Sequence, residues 1–207
     1  TTERTNLASW ILDDDCRLVA LLGMGGMGKT ALAVKLSEEI QPEFDYFIWR
    51  SLREAPPVEK ILMDVLKFVS DQQETELADT LGESVTHLIH YLQESRCLLV
   101  LDNAESILQG GTQAGQYREG YEGYGTLIQR VGESRHQSCL LLTSREKPKE
   151  LVRLAGPHHP VRALRLQGLK SNVGQAFLAK EGLEDSDDQW KQIFDYYSGN
   201  PLALKIA

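Results

Sequence analysis

The stretch Gly23-Met24-Gly25-Gly26-Met27-Gly28-Lys29-Thr30 joins two segments of opposite character. Before it lies Arg17-Leu18-Val19-Ala20-Leu21-Leu22, a nearly continuous apolar run. After it, Leu32, Leu36 and Ile40 share one face of a helical pattern that runs from Lys29 to Ile40. A run that is apolar on both faces predicts a central parallel strand covered by helices on either side. The eight residues fit G-x-x-x-x-G-K-[ST] in full, in the strand-to-helix context that the pattern requires. Glycines let backbone N–H groups converge on phosphate oxygens without Cβ obstruction, and the following helix aims its positive dipole end at them. The expected phosphate cradle is therefore Gly23, Met24, Gly25, Gly26, Met27, Gly28, Lys29, Thr30 and Ala31. Lys29 is expected to reach the β- and γ-phosphates, and Thr30 to supply a hydroxyl to Mg²⁺.

Two further apolar runs end in reactive side chains. Cys97-Leu98-Leu99-Val100-Leu101-Asp102 delivers a carboxylate to the C-terminal end of a buried strand, the edge where open α/β sheets bind ligands. Asp102 is thus expected to share the metal with Thr30. Leu140-Leu141-Leu142-Thr143-Ser144-Arg145 ends in two hydroxyls and an arginine at the same edge. A guanidinium there can hold a terminal phosphate and so distinguish tri- from diphosphate.

Strands are also expected over Phe44 to Leu52 and Val161 to Leu166, and amphipathic helices near the N-terminus, over Val58 to Val69 and over Ser84 to Glu94. Alternating strands and helices predict an α/β fold, a three-layer α/β/α P-loop NTPase with a five-stranded parallel sheet. Gln109 to Gly125 holds six glycines with Tyr117, Tyr121 and Tyr124 and reads as a long loop, the tyrosines either packing it down or meeting a partner. From Ser171 onward the strands stop, and Asn172 to Lys180, Asp187 to Tyr197 and Pro201 onward read as helical. A boundary near Gly168 divides residues 1–167, a nucleotide-binding unit, from 168–207, the beginning of a truncated helical subdomain.

Composition narrows the function classes. The chain has 207 residues and a formal net charge of −8, with 42% hydrophobic residues, which excludes global disorder and disfavours a protein that coats nucleic acid. No apolar run approaches the roughly 20 residues needed to span a bilayer, and no signal peptide opens the chain. Cys16, Cys97 and Cys139 are widely spaced and odd in number, so they read as reduced cytoplasmic thiols, neither a disulfide framework nor a zinc site. The missing initiator Met and the abrupt end at Ala207 suggest a piece of a longer protein.

The three motifs in this order, with Gly199-Asn200-Pro201-Leu202-Ala203-Leu204 downstream, resemble the NB-ARC (AP-ATPase) nucleotide-binding domains of the STAND P-loop NTPases, of bacterial type. Phe47-Ile48-Trp49-Arg50-Ser51-Leu52 also looks like the family's second-strand motif. The resemblance implies that the sensor strand lies between the strands of the two Walker motifs. It implies too that Gly199 and Pro201, with Leu202 beside them, pack near adenine. Functionally, it implies an ATP/ADP-binding molecular switch with Mg²⁺: ADP holds a closed monomer, and ATP permits self-association and signalling. Winged-helix and sensor-repeat domains of the same chain would be its partners, with neither a membrane nor direct nucleic-acid contact expected.

One departure bears on turnover. Many family members carry a second acid directly after the Walker B Asp, whereas this chain reads Asp102-Asn103-Ala104-Glu105. Asn103 can orient a water but cannot accept its proton, and Glu105 is displaced by two residues. Lys29, Asp102, Asn103, Glu105 and Arg145 are therefore the candidate catalytic residues of a slow ATPase. Two other readings remain: a P-loop phosphotransferase acting on a small molecule, with 109–125 and Arg118 as its lid, or a non-hydrolysing nucleotide-stabilised scaffold. Elsewhere, His158-His159 reads as a loop pair, His87 and His90 as a helix face, Trp10 and Trp49 as core, and Glu184, Asp185, Asp187 and Asp188 as a solvated turn capping a helix through Trp190.

Overall fold

The computed structural model describes residues 2–169, 194 and 196–206. The helix expected over 172–180, the acidic turn with Trp190, and all of the 187–197 helix except Phe194, Tyr196 and Tyr197 lie outside the described residues.

Helix α1 (Thr2–Leu12) leads into β1 (Leu18–Leu22), and α2 (Lys29–Ile40) follows the glycine loop. Then come β2 (Tyr46–Ser51), α3 (Val58–Val69), α4 (Leu81–Glu94), β3 (Cys97–Asp102), α5 (Gly123–Glu133), β4 (Cys139–Ser144), α6 (Lys149–Leu154) and β5 (Val161–Arg165). The strands form one sheet in the order β2-β3-β4-β1-β5, and every pairing is parallel. Thus β4 lies between β3 and β1, the order that the family resemblance implies.

Period-two alternation along β1 sorts the core into two layers. Leu18, Ala20 and Leu22 face α3, α4 and α5, where Leu62, Leu66, Leu88 and Leu127 are fully or almost fully buried. Val19 and Leu21 face α1 and α2, packing with Leu7, Ile11, Leu36 and Ile40. Covering both faces explains why β1, β3 and β4 are apolar at nearly every position. Trp10 and Trp49 are only half-buried, each packed against the second layer. Trp49 sits on edge strand β2, and Trp10 lies under the Arg162 guanidinium, 5.4 Å from its ring centre.

The glycine- and tyrosine-rich stretch is not an open loop. Short 3-10 turns at Ala104–Ile107 and Gly111–Gln113 and a bridge between Leu108 and Tyr117 fold it back. From Gly123 it is already α5. The hydroxyls of Tyr121 and Tyr124 donate to the carbonyls of Ala55 and Pro56 at 2.7 and 2.8 Å, and Tyr117 donates to Glu150 at 2.7 Å. Tyr117 and Tyr124 are core residues, so the tyrosines pack the stretch onto the α3–α5 face. Arg118, the expected lid arginine, donates to the Ser106 carbonyl and lies over the Tyr121 ring.

Candidate nucleotide and metal site

The ends of β1, β3 and β4 share one sheet edge, and the glycine loop crosses it. Gly28, immediately before α2, has φ 83° and ψ 18°, a left-handed conformation that glycine adopts without steric cost. It turns the chain so that Lys29 opens the helix. The Lys29 side chain is nearly buried and curls back over the loop, its Nζ donating to the carbonyls of Gly23 and Met24 at 2.8 and 3.0 Å. Burial lowers its pKa from the ordinary lysine value; the carboxylates of Glu105 and Asp102 oppose that shift and Arg145 adds to it. Lys29, Glu105, Asp102 and Arg145 therefore share one electrostatic neighbourhood.

Asp102 ends β3 and is 8% exposed. Its Oδ1 accepts from the Thr30 hydroxyl at 2.9 Å and from the Thr143 hydroxyl. Thr143 in turn accepts from the Asn103 N–H at 2.9 Å. The parallel register places Leu101 beside Leu142, which makes Asp102 and Thr143 neighbours across the next step. Two hydroxyls thus fix the carboxylate's orientation.

Asn103 takes a left-handed turn, φ 72°, and its side-chain amide donates to Ser106 Oγ at 2.7 Å. Glu105 faces the glycine loop's side of the turn: its carboxylate lies 3.0 Å from Arg145 Nε and accepts from the Arg145 backbone N–H at 3.3 Å. A Cβ added to Gly25 would lie 2.9 Å from Arg145 Cζ, so the guanidinium rests against the loop.

The Gly199-Asn200-Pro201 segment meets the loop from the other side. Asn200 donates to the Gly25 carbonyl at 2.8 Å, and its Oδ1 accepts from the N–H groups of Leu202 and Ala203, capping the short helix Pro201–Ile206. Gly26, at φ 80°, leaves room for Asn200 and Leu202, each 2.7 Å from where a Cβ would sit. Pro201 is thereby placed one residue from the contact, while Met24 and Leu202 are exposed. Met27, Thr30 and Ala31 complete the loop and the first turn of α2.

These residues fit a nucleoside phosphate with Mg²⁺. The space beside Gly28 is open, at the start of the helix that Lys29 begins, and a hydroxyl beside a carboxylate is the hard-oxygen set that Mg²⁺ takes. Sequence reasoning did not find three contacts: Thr143 on Asp102, Glu105 on Arg145, and Asn200 on Gly25. Only Thr143 carried a signal, as a hydroxyl ending a buried strand.

Five parallel strands in this order, with a lysine-bearing glycine loop after β1 and an aspartate ending β3, define a P-loop NTPase. The family model for the NB-ARC domain matches residues 1–106, and the chain belongs to that family of nucleotide-binding domains. It is 50% identical over 216 residues to a WD repeat-containing protein of Nostoc sp. (strain PCC 7120), a match covering 99% of this chain and 17% of that one. It is 27% identical over 106 residues to disease resistance RPP13-like protein 4 of Arabidopsis thaliana, covering 49% of this chain and 12% of that one. Among solved structures it resembles a Signal Transduction ATPase with Numerous Domains (STAND) protein with a tetratricopeptide repeat sensor from Pyrococcus horikoshii. That match has a TM-score of 0.68 at 14% identity and covers 98% of this chain and 29% of that one. The chain therefore spans less than a fifth of the length of these two curated relatives. Among the described residues, no helix is long and apolar enough to cross a membrane.

Proposed function

We propose that this chain is the ATP/ADP-binding switch module of a larger cytoplasmic signalling protein, with slow Mg²⁺-dependent ATP hydrolysis and nucleotide-gated self-association. The observation that carries the proposal is the pairing of Thr30 and Asp102 at 2.9 Å beside the buried Lys29. In this reading residues 23–31 hold the phosphates, Lys29 turns from the loop carbonyls to phosphate oxygens, and Thr30 and Asp102 hold the metal. A Mg²⁺ ion held by these two residues would supply charge neutralisation to the bound phosphates. Arg145 reads the terminal phosphate. Residues 1–167 form the nucleotide-binding unit, and 168–207 begin a helical subdomain whose Pro201 and Leu202 lie near the base.

Slow turnover is supported by Asn103, whose amide is engaged with Ser106 and which offers no carboxylate beside Asp102. The similarity to a WD repeat-containing protein supports sensor repeats elsewhere in the full protein. The Asn200–Gly25 contact supports gating, because it ties the downstream segment directly to the phosphate loop. The net charge of −8 favours protein domains over nucleic acid as partners.

The test combines the identity of the nucleotide that co-purifies with phosphate release, measured with and without small-molecule acceptors. The expected result is a retained adenine nucleotide and slow, acceptor-independent, Mg²⁺-dependent release. A retained guanine nucleotide, or fast transfer to an acceptor, contradicts the proposal.

A further inference from the structure

Arg145 is already engaged. Glu105 meets it twice, at the guanidinium Nε (3.0 Å) and at the backbone N–H (3.3 Å). The two partners differ in freedom. The Glu105 side chain is 16% exposed and rises from a 3-10 turn, whereas the Arg145 side chain is 59% exposed. Arg145 is therefore the member that can swing. Its guanidinium lies against Gly25, in a loop whose missing Cβ atoms leave it space, at the edge of the proposed phosphate cradle.

We propose that Glu105 sets the preference between tri- and diphosphate by holding Arg145, so that a terminal phosphate must compete with this carboxylate for the guanidinium. The inference rests on the nucleotide reading above. A diphosphate leaves the Glu105–Arg145 pair intact. A triphosphate brings further negative charge towards the pair. The carboxylate 3.0 Å from Nε already offsets the arginine's charge and holds the guanidinium against Gly25. Drawing Arg145 onto a terminal phosphate therefore weakens that ion pair, even though its Nη donors are free among the described residues. A ligand shifts such an equilibrium only by its differential interaction with the two arrangements. Glu105 is thus a specificity-determining residue acting through Arg145. It raises the ATP concentration needed to switch the domain and leaves ADP binding nearly unchanged.

The test measures ATP and ADP affinities by calorimetry for the parent chain, Glu105→Gln, Arg145→Ala and the double variant, with phosphate release recorded for each. Glu105→Gln is expected to raise the ratio of ATP to ADP affinity roughly three- to tenfold, the scale of one partly exposed charge pair. In the Arg145→Ala background the same substitution should change that ratio less than about twofold, because the arginine through which it acts is gone. An unchanged ratio in Glu105→Gln overturns the proposal, including the case where turnover alone is lost and Glu105 is the general base. An equal rise in both backgrounds also overturns it, since direct repulsion between Glu105 and phosphate would then suffice. If the parent binds neither nucleotide, the proposed function itself falls and this inference with it. If binding occurs without the ratio change, only the inference falls.

Discussion

Two glycine-rich stretches, 23–30 with four glycines in eight residues and 109–125 with six in seventeen, have opposite roles in the fold. In the first, the space beside Gly28 is empty, Gly25 faces the Arg145 guanidinium, and Gly26 faces Asn200 Oδ1 and Leu202 Cβ. In the second, Gly123 and Gly125 make room for Val58, Leu81, Tyr117 and Glu150, and three tyrosine hydroxyls find partners on neighbouring elements. The first stretch leaves open space at Gly28, with the Lys29 amine turned back onto the Gly23 and Met24 carbonyls. The second is anchored by its tyrosines, although Gln109, Gln113, Gln116 and Tyr117 still line an open, polar cavity with Lys149. Glycine content alone therefore says little; what accompanies it, a lysine and hydroxyl or a set of tyrosines, separates the proposed phosphate cradle from a connection anchored onto its neighbours.

Substitutions can break this contrast in a graded way. Lys29→Ala should have the largest effect, reducing ATP and ADP affinity by about 10²-fold or more, since charge-assisted bonds to phosphate are lost. Calorimetry measures this, and circular dichroism should show the fold retained. Tyr124→Ala should do the reverse. This fully buried side chain fills core beside α3, so its removal should cost about 3–5 kcal/mol in urea unfolding. Nucleotide affinity of the protein that remains folded should be unchanged.

A matched pair of alanines sharpens the comparison. Gly125→Ala would place a Cβ 2.6 Å from Glu150 Oε1 and 2.9 Å from the buried Tyr117 ring, at an expected cost of about 1–3 kcal/mol. Gly25→Ala meets only the movable end of Arg145, so stability should stay within about 0.5 kcal/mol. The ATP/ADP affinity ratio should nevertheless change, because the guanidinium must shift.

The smallest expected effect concerns His136, in the turn between α5 and β4. Its Nε2 lies 2.9 Å from the Val131 carbonyl and its Nδ1 accepts from the Ser138 N–H, a pairing that the neutral ring satisfies. Burial lowers its pKa below the ordinary value of about 6.5. The depressed value means that its contribution is complete above about pH 6.5 and is lost as pH falls through the lowered pKa. Denaturant unfolding should show this acid-side loss, at most about 1.4 kcal/mol per pH unit, and His136→Gln should flatten it.

Most of the fold was legible because the decisive strands are buried on both faces and carry that in their composition. The bounds of α2 and α3 read directly from apolar spacing. The start of α4 was missed by three residues, although Thr80 and Glu83 form a capping box that the T-x-x-E spacing announces. Helix α5 was hidden because Gly123, Gly125 and Gly132 weaken its local preference; burial of Tyr124, Leu127, Ile128 and Val131 overrides that cost of roughly 1 kcal/mol per glycine. Six-residue α6 is too short for a periodic signal. At the site, residues on one continuous motif were readable. Contacts that depend on strand order, such as Thr143 on Asp102, and the contact of Asn200 with Gly25 were not, because no local pattern encodes which elements become neighbours.

The central claim is that Thr30 and Asp102 hold a metal against phosphates cradled by residues 23–31. The most direct measurement is the Mg²⁺ dependence of ATP affinity, by calorimetry, in the parent chain and in Asp102→Ala. Mg²⁺ should tighten ATP binding in the parent and have little effect in the variant, while ADP affinity without metal stays similar in both. Equal tightening by Mg²⁺ in the two proteins would contradict the account and leave Asp102 as a residue that only anchors Thr30 and Thr143.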